Sequence, residues 1–300
     1  MSNKHTRIAF VTAAYAGIRS DRPIEYYHRP LNDFLGRYRQ TGGEALLLIH
    51  ANEESWSLIP EFRKHIDIAI VDEPEDHVWN IWPDEDWSAT YQCLLQSNPT
   101  HCQSYQARFK RLIAVYLCKL RLVEIAFESN DCDLVLWHDS GHWVSHGAQH
   151  DLQRYDDHQG PKEANGRSLD RLLRLHADRF PVFGTLSRPN RKRFHMPLAW
   201  MRRHAVRVRG EETDLLLRSL YTAVLWSFRR DAFPEFIAEF RDAWRSLIEM
   251  RQAGIEENAL TIAAWRRSIP GLDYADWRRL LTGSQTDVNF VSPGQREVTE

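Results

Sequence analysis

The sequence predicts an α/β fold, a GT-A-like single domain in which a mainly parallel mixed sheet is flanked by helices. Three observations predict the α/β part. Short apolar runs recur at the length of buried strands. Segments of helical period stand between them. No Pro-, Gly- or Ser-rich linker divides the chain. The 300 residues are 43% hydrophobic and 27% charged, the composition of a folded chain. Lys and Arg total 39 against 41 Asp and Glu, a formal charge of -2, which argues against the basic footprint of a dedicated nucleic-acid binder. The most apolar stretch, 112–126, is interrupted by Lys119, Arg121 and Glu124, so no membrane span is expected. The opening MSNKHTRIAFVTAAY lacks the long apolar run of a signal peptide, and a cytoplasmic location is expected.

Taken in order, RIAFVTAA (7–14) suits a buried strand. Leu31, Phe34, Leu35 and Tyr38 then recur at helical spacing over 30–40, and Gly42-Gly43 stops that helix. EALLLIH (44–50) is a second strand and 66–71 a third. Residues 72–103 read as a polar, aromatic insertion without a period. The longest helix is expected over 104–129, from Ala107, Leu112, Ala114, Val115, Cys118, Leu122, Ile125 and Ala126. Residues 131–139, DCDLVLWHD, form a strand ending in polar groups. Residues 145–167 read as a solvent loop and 168–177 as a helix capped by Ser168. A strongly basic stretch, 186–211, precedes a strand at 222–228 and helices at 233–252 and 256–267. About six strands are expected, with the domain over 1–283 and a flexible tail over 284–300.

The chemistry concentrates in LVLWHDSGHW (134–143). Open α/β sheets bind ligands beyond the carboxyl ends of their strands. Asp139, on a Gly-containing turn at such an end, can hold a hard cation and through it a diphosphate. The same residues equally suit a turn in which Asp139 caps and Gly141 supplies a positive φ. Glu256 and Glu257 begin a helix, either as acid/base groups or as first-turn acids complementing the helix dipole. His138, His142, His146 and His150 recur every fourth residue, which raises a metal-dependent hydrolase as a rival reading. Gly141 and Gly147 interrupt any helix there, and no H-E-x-x-H is present. P-loop, G-x-G-x-x-G and G-x-S-x-G motifs are absent. The four cysteines lack C-x-x-C spacing and are expected as free thiols, two of them in the core. Eleven tryptophans are many for this length. Trp79, Trp82 and Trp87, in a polar segment, suit either sugar stacking or anchoring of a loop.

Four segments together resemble sugar-nucleotide-dependent glycosyltransferases of the GT-A type, closest to the HtrL/YibB-like bacterial family. They are RIAFVTAAY (7–15), KLRLVEIA (119–126), LVLWHDSG (134–141), and AVLWSFRRDAFPEFIAEF (223–240) followed by GIEENALTIAAWR (254–266). The family's strand-end motif is D-x-D or W-x-D-x-G, and Gly141 stands where D-x-D has its second aspartate. The resemblance implies a nucleotide-sugar donor, a glycan or small-molecule acceptor, and Mn2+ or Mg2+. It implies Asp139 and Glu257 as catalytic groups, with Asp139 and His142 at the metal. Thr12, Tyr15, Arg19, Lys119, Trp137, Ser140, Gly141, Trp226 and Glu256 would line the substrates. The basic 188–209 segment could grip a polyanionic acceptor or make peripheral contact with an anionic membrane surface, or be a solvated loop. A non-catalytic sugar- or nucleotide-binding protein of the same fold is the competing class.

Overall fold

Ile8, Phe10 and Ala14 of the first strand pack into one core cluster, and Ala9 and Val11 into another. A strand buried on both faces must be apolar at nearly every position, which is why its sequence shows no polar alternation. The computed structural model describes residues 6–18, 24–58, 63–81, 109–140, 166–187, 220–249, 256–273 and 290–291. Among these, eight strands form one sheet: β1 (Ile8–Ala14), β2 (Leu46–Ala51), β3 (Ile68–Val71), β4 (Leu134–His138), β5 (Val182–Ser187), β6 (Leu220–Arg229), β7 (Gly271–Asp273) and β8 (Phe290–Val291). Their order across the sheet is β3-β2-β1-β4-β6-β5-β7-β8. Strands β1 to β4 are mutually parallel, β6 is antiparallel to both β4 and β5, and β7 is parallel to β5. With β8 antiparallel to β7, six strands run one way and two the other. The expected mainly parallel mixed sheet is therefore present, with eight strands rather than about six.

Seven helices accompany the strands among the described residues: α1 (Glu25–Gln40), α2 (Glu53–Ser57), α3 (Glu75–Ile81), α4 (Phe109–Ser129), α5 (Gly166–Arg179), α6 (Phe233–Glu249) and α7 (Glu256–Arg266). Leu31, Phe34, Leu35 and Tyr38 of α1 join Leu169, Leu173 and Ala177 of α5 on one face of the sheet. On the other face lie Val78 of α3 and the apolar sides of α4, α6 and α7. The chain steps from β1 through α1 to β2 on the first face, then returns from β3 through α4 to β4 on the second. Such opposite steps on opposite faces are what right-handed crossovers produce, and they leave a switch point between β1 and β4.

Several boundaries differ from the sequence reading. Helix α1 begins at Glu25, and Gly42, with φ of 81°, supplies the left-handed residue that ends it. Within the expected insertion, 75–81 is helical because Val78 is buried against α4 while the acids of its first turn suit a helix start. Ser168 is not a cap, since α5 starts at Gly166, whose N–H donates to Thr41 Oγ1 at 2.7 Å. Strands β5 and β7 were not expected. Two residues of the expected tail are strand β8, where Phe290 packs its ring against Phe180 and Phe183. Cys118 and Cys132 are buried free thiols, as expected of two of the four. No helix of the described residues is long and apolar enough to cross a membrane.

Candidate functional site

The carboxyl ends of β1 to β4 carry two polar clusters on either side of the switch point. The first is centred on Lys119. Leu117, Leu120 and the neighbouring apolar residues of α4 hold its helix against the sheet, which draws the Lys119 side chain into the interior. Its Nζ donates to Asp139 Oδ2 at 3.0 Å and to Glu256 Oε1 at 2.7 Å. Asp139 follows β4, and its backbone N–H donates to Val224 O of β6 at 2.8 Å. The Glu256 side chain is 4% exposed, that of Asp139 30%. Burial alone would lower the pKa of Lys119, but the Glu256 and Asp139 carboxylates outweigh it and hold the amine charged. Burial pushes the Glu256 carboxyl up against the pull of Lys119. Two carboxylates thus share one ammonium.

Glu257 begins α7 beside Glu256. Its Oε1 accepts from the N–H of Ala223 on β6 at 3.0 Å, so it also fixes where the helix meets the sheet. Lys119 and Glu256 line a small cavity with Trp137, Ala223 and Trp226. Trp137 and Trp226 were expected to touch substrate. Both are buried instead, opposite one another in the β4–β6 register, and their indole N–H groups donate to Ala223 O and Thr222 O. Their burial makes them part of the core packing, and both also line the small cavity beside Lys119 and Glu256.

The other expected residues are spread around the strand ends. Thr12 and His138 lie on the α1 side of the sheet, beside Phe10 and Phe34. His138 is stacked on Phe34 with ring centroids 5.9 Å apart, and burial lowers its pKa to about 3. Thr12 is 6% exposed, its hydroxyl buried without a hydrogen bond. Ser140 is buried just beyond Asp139. Arg19, Gly141 and His142 lie outside the described residues, as do His146, His150, Trp82, Trp87, the side chain of Trp79 and the basic 188–209 segment.

The second cluster follows β1, β2 and β3. Asn52, directly after β2, caps α2 by accepting from the Ser55 N–H at 3.1 Å. It also exchanges two hydrogen bonds with the Ala16 backbone, at 3.0 and 3.1 Å, which fixes the turn carrying Tyr15. The Tyr15 hydroxyl is buried without a hydrogen bond. Burial raises its pKa, and Cys118, Asp72, Glu73 and Glu75 raise it further. His50 is the penultimate residue of β2, Asp72 follows β3 and His77 lies on α3. Their ligand atoms all fall within 4.8 Å of one another, the group of such residues so spaced among the described residues. His77 Nε2 is 2.8 Å from Asp72 Oδ2. His50, His77 and Asp72 were not expected as site residues. One signal was available, a histidine closing the otherwise apolar strand ALLLIH.

No family model and no curated protein matches the chain, so the resemblance to the HtrL/YibB-like family has no family-level match. Among solved structures the chain is similar to CMP:2-keto-3-deoxy-manno-octonic acid synthetase complexed with CTP. The identity is 12% and the TM-score 0.33, over 82% of this chain and 85% of that one. A likeness at that distance assigns no residue and no activity here.

Proposed function

We propose that the chain is a nucleotide-sugar-dependent glycosyltransferase with a GT-A-like domain over residues 1–283. It moves a sugar from its donor to a glycan or small-molecule acceptor. One observation carries the reading: Lys119, Asp139 and Glu256 meet beyond the end of β4, beside the switch point between β1 and β4. Ligands bind at that place in open α/β sheets. The leaving nucleoside diphosphate gains charge as the glycosidic bond breaks, and nearby positive charge lowers that barrier. Hard cations in such sites are commonly held by one or two carboxylates plus substrate phosphates. Asp139, partly exposed and in a cluster with carboxylate in excess, suits Mn2+ or Mg2+ on those terms, with His142 as a second protein ligand. Glu257 is the group that takes the acceptor hydroxyl proton in an inverting reaction. Tyr15 and Arg19, after β1, border the donor. The reading keeps the chain in the cytoplasm, with the basic 188–209 segment meeting a polyanionic acceptor or an anionic membrane surface.

The experiment is a thermal-shift panel of nucleotide sugars and nucleoside diphosphates, with and without manganese. A ligand that binds the folded state raises the melting temperature by mass action. The expected result is a shift for one nucleotide family, enlarged by manganese and lost in Asp139→Ala. No shift with any donor overturns the reading. A non-catalytic binding protein of the same fold is favoured by one observation: Asp139 Oδ2 and Glu257 Oε1 already serve internal contacts. Slow hydrolysis of the donor in the absence of acceptor distinguishes the transferase from it.

A further inference from the structure

We propose that His50, Asp72 and His77 form a binding site for a divalent transition-metal ion of the zinc class, separate from Asp139. The three ligands come from the end of β2, the segment after β3 and helix α3, so one ion would join three successive elements. Their donor atoms lie within 4.8 Å of one another. Tetrahedral zinc with bonds of about 2.0–2.1 Å places its ligands roughly 3.3 Å apart, so small side-chain rotations suffice.

The second observation is His50 itself. It is fully buried, and neither ring nitrogen makes a hydrogen bond of ordinary geometry, the Leu122 backbone being a polar neighbour. Asp72 Oδ1 is likewise buried without a partner. The His50 ring stands edge-on to that of His77, with centroids 5.7 Å apart. A simple His77–Asp72 pair explains two members of the group and leaves the buried imidazole of His50 with the Leu122 backbone and the nearby Asp72 charge as its polar surroundings. An ion explains all three. The backbone already fixes the frame, because the Asp72 N–H donates to Ala51 O at 3.0 Å, one residue from His50.

The donor set names the class of ion. Two imidazoles and one carboxylate suit zinc, cobalt or nickel, whereas magnesium and calcium take oxygen ligands. Three protein ligands also leave a fourth position for water.

The test uses the full chain, stripped with a chelator and then titrated with Zn2+, and with Co2+ as a spectroscopic probe. Expected are one tightly held ion per chain, visible Co2+ absorption of tetrahedral type, and a melting temperature raised by Zn2+ but not by Mg2+. His77→Gln should weaken Zn2+ binding about 100-fold or more, since even outer-shell changes cost up to that much. Asp72→Asn should act in the same direction, while His176→Gln should bind like the unaltered chain. If a variant does not fold, the metal-dependent melting of the unaltered chain decides. Absence of stoichiometric Zn2+, or binding that survives His77→Gln and Asp72→Asn, overturns the site. No readout uses a sugar nucleotide, so this outcome is independent of the proposed transferase activity.

Discussion

Nζ of Lys119, on α4, lies 2.7 Å from Oε1 of Glu256, on α7, across 137 residues of chain. Both side chains are buried, so the pair can be broken in two inequivalent ways. Removing the cation alone strands Glu256 among apolar neighbours, which costs about 3–5 kcal/mol in comparable pairs. Removing both charges leaves an apolar contact of similar size, often nearly neutral. Lys119→Met should therefore lower the urea midpoint sharply, and Lys119→Met with Glu256→Leu should recover much of the loss. Additive losses in the two single variants would show that the pair does not hold α4 to α7.

Glu257 separates catalysis from architecture. Its Oε1 accepts a hydrogen bond from the Ala223 N–H, and a glutamine carbonyl accepts that bond equally well. Glu257→Gln should leave the melting temperature nearly unchanged. Under the proposed function it should lower turnover by about 10²–10⁴, the range of a lost general base. If melting temperature and turnover fall together, Glu257 serves the β6 backbone and not the reaction.

The elements that were legible in the sequence are those whose pattern is local. Strands β1, β2 and β4 are central and buried on both faces, so each is a continuous apolar run. Helices α4 and α6 show their buried stripes directly. Strand β5, VFGTLS, was hidden because glycine and two hydroxyl residues resemble a loop. Its polar Thr185 is satisfied only in the fold, where its hydroxyl lies 2.7 Å from that of Thr222 on β6. Strand β7 is three residues long and carries no period. The site divides in the same way. Lys119, Asp139 and Glu256 stood out through motif resemblance, and the structure brings them together. Trp137 and Trp226 are buried, which their sequence does not show, because a tryptophan in a strand looks the same whether it faces a ligand or a helix. His50, Asp72 and His77 follow no spacing rule, because parallel strands place residues side by side that lie many positions apart in the chain.

Gly184 shows why β5 needs its breaker. It sits opposite Trp226 in the β5–β6 register, and a Cβ there would fall 2.7 Å from the indole ring. Trp226 is itself confined between Phe228, Phe236 and Tyr221, so the ring cannot retreat. Gly184→Ala should destabilise the fold by about 1–3 kcal/mol, the usual cost of overpacking a filled core. Gly42→Ala should also destabilise, through its positive φ, but without disturbing tryptophan fluorescence. Equal emission changes in both variants would refute the packing explanation.

His28 gives a pH dependence whose sign is fixed by burial. It is 6% exposed, its Nε2 is 3.0 Å from Ser55 Oγ, and burial lowers its pKa from 6.5 to about 4. Between those values the unfolded chain takes a proton that the folded chain refuses. Stability is therefore complete above pH 6.5 and falls as the pH drops toward 4, by about 1.4 kcal/mol per pH unit for one such group. His28→Gln keeps a group able to hydrogen-bond Ser55 but removes the titration. Urea unfolding at pH 7.5, 6.0 and 5.0 should give a shallower acid slope for His28→Gln than for the unaltered chain. Parallel slopes would mean that folding leaves the proton affinity of His28 unchanged, its ring being solvated rather than buried against α2.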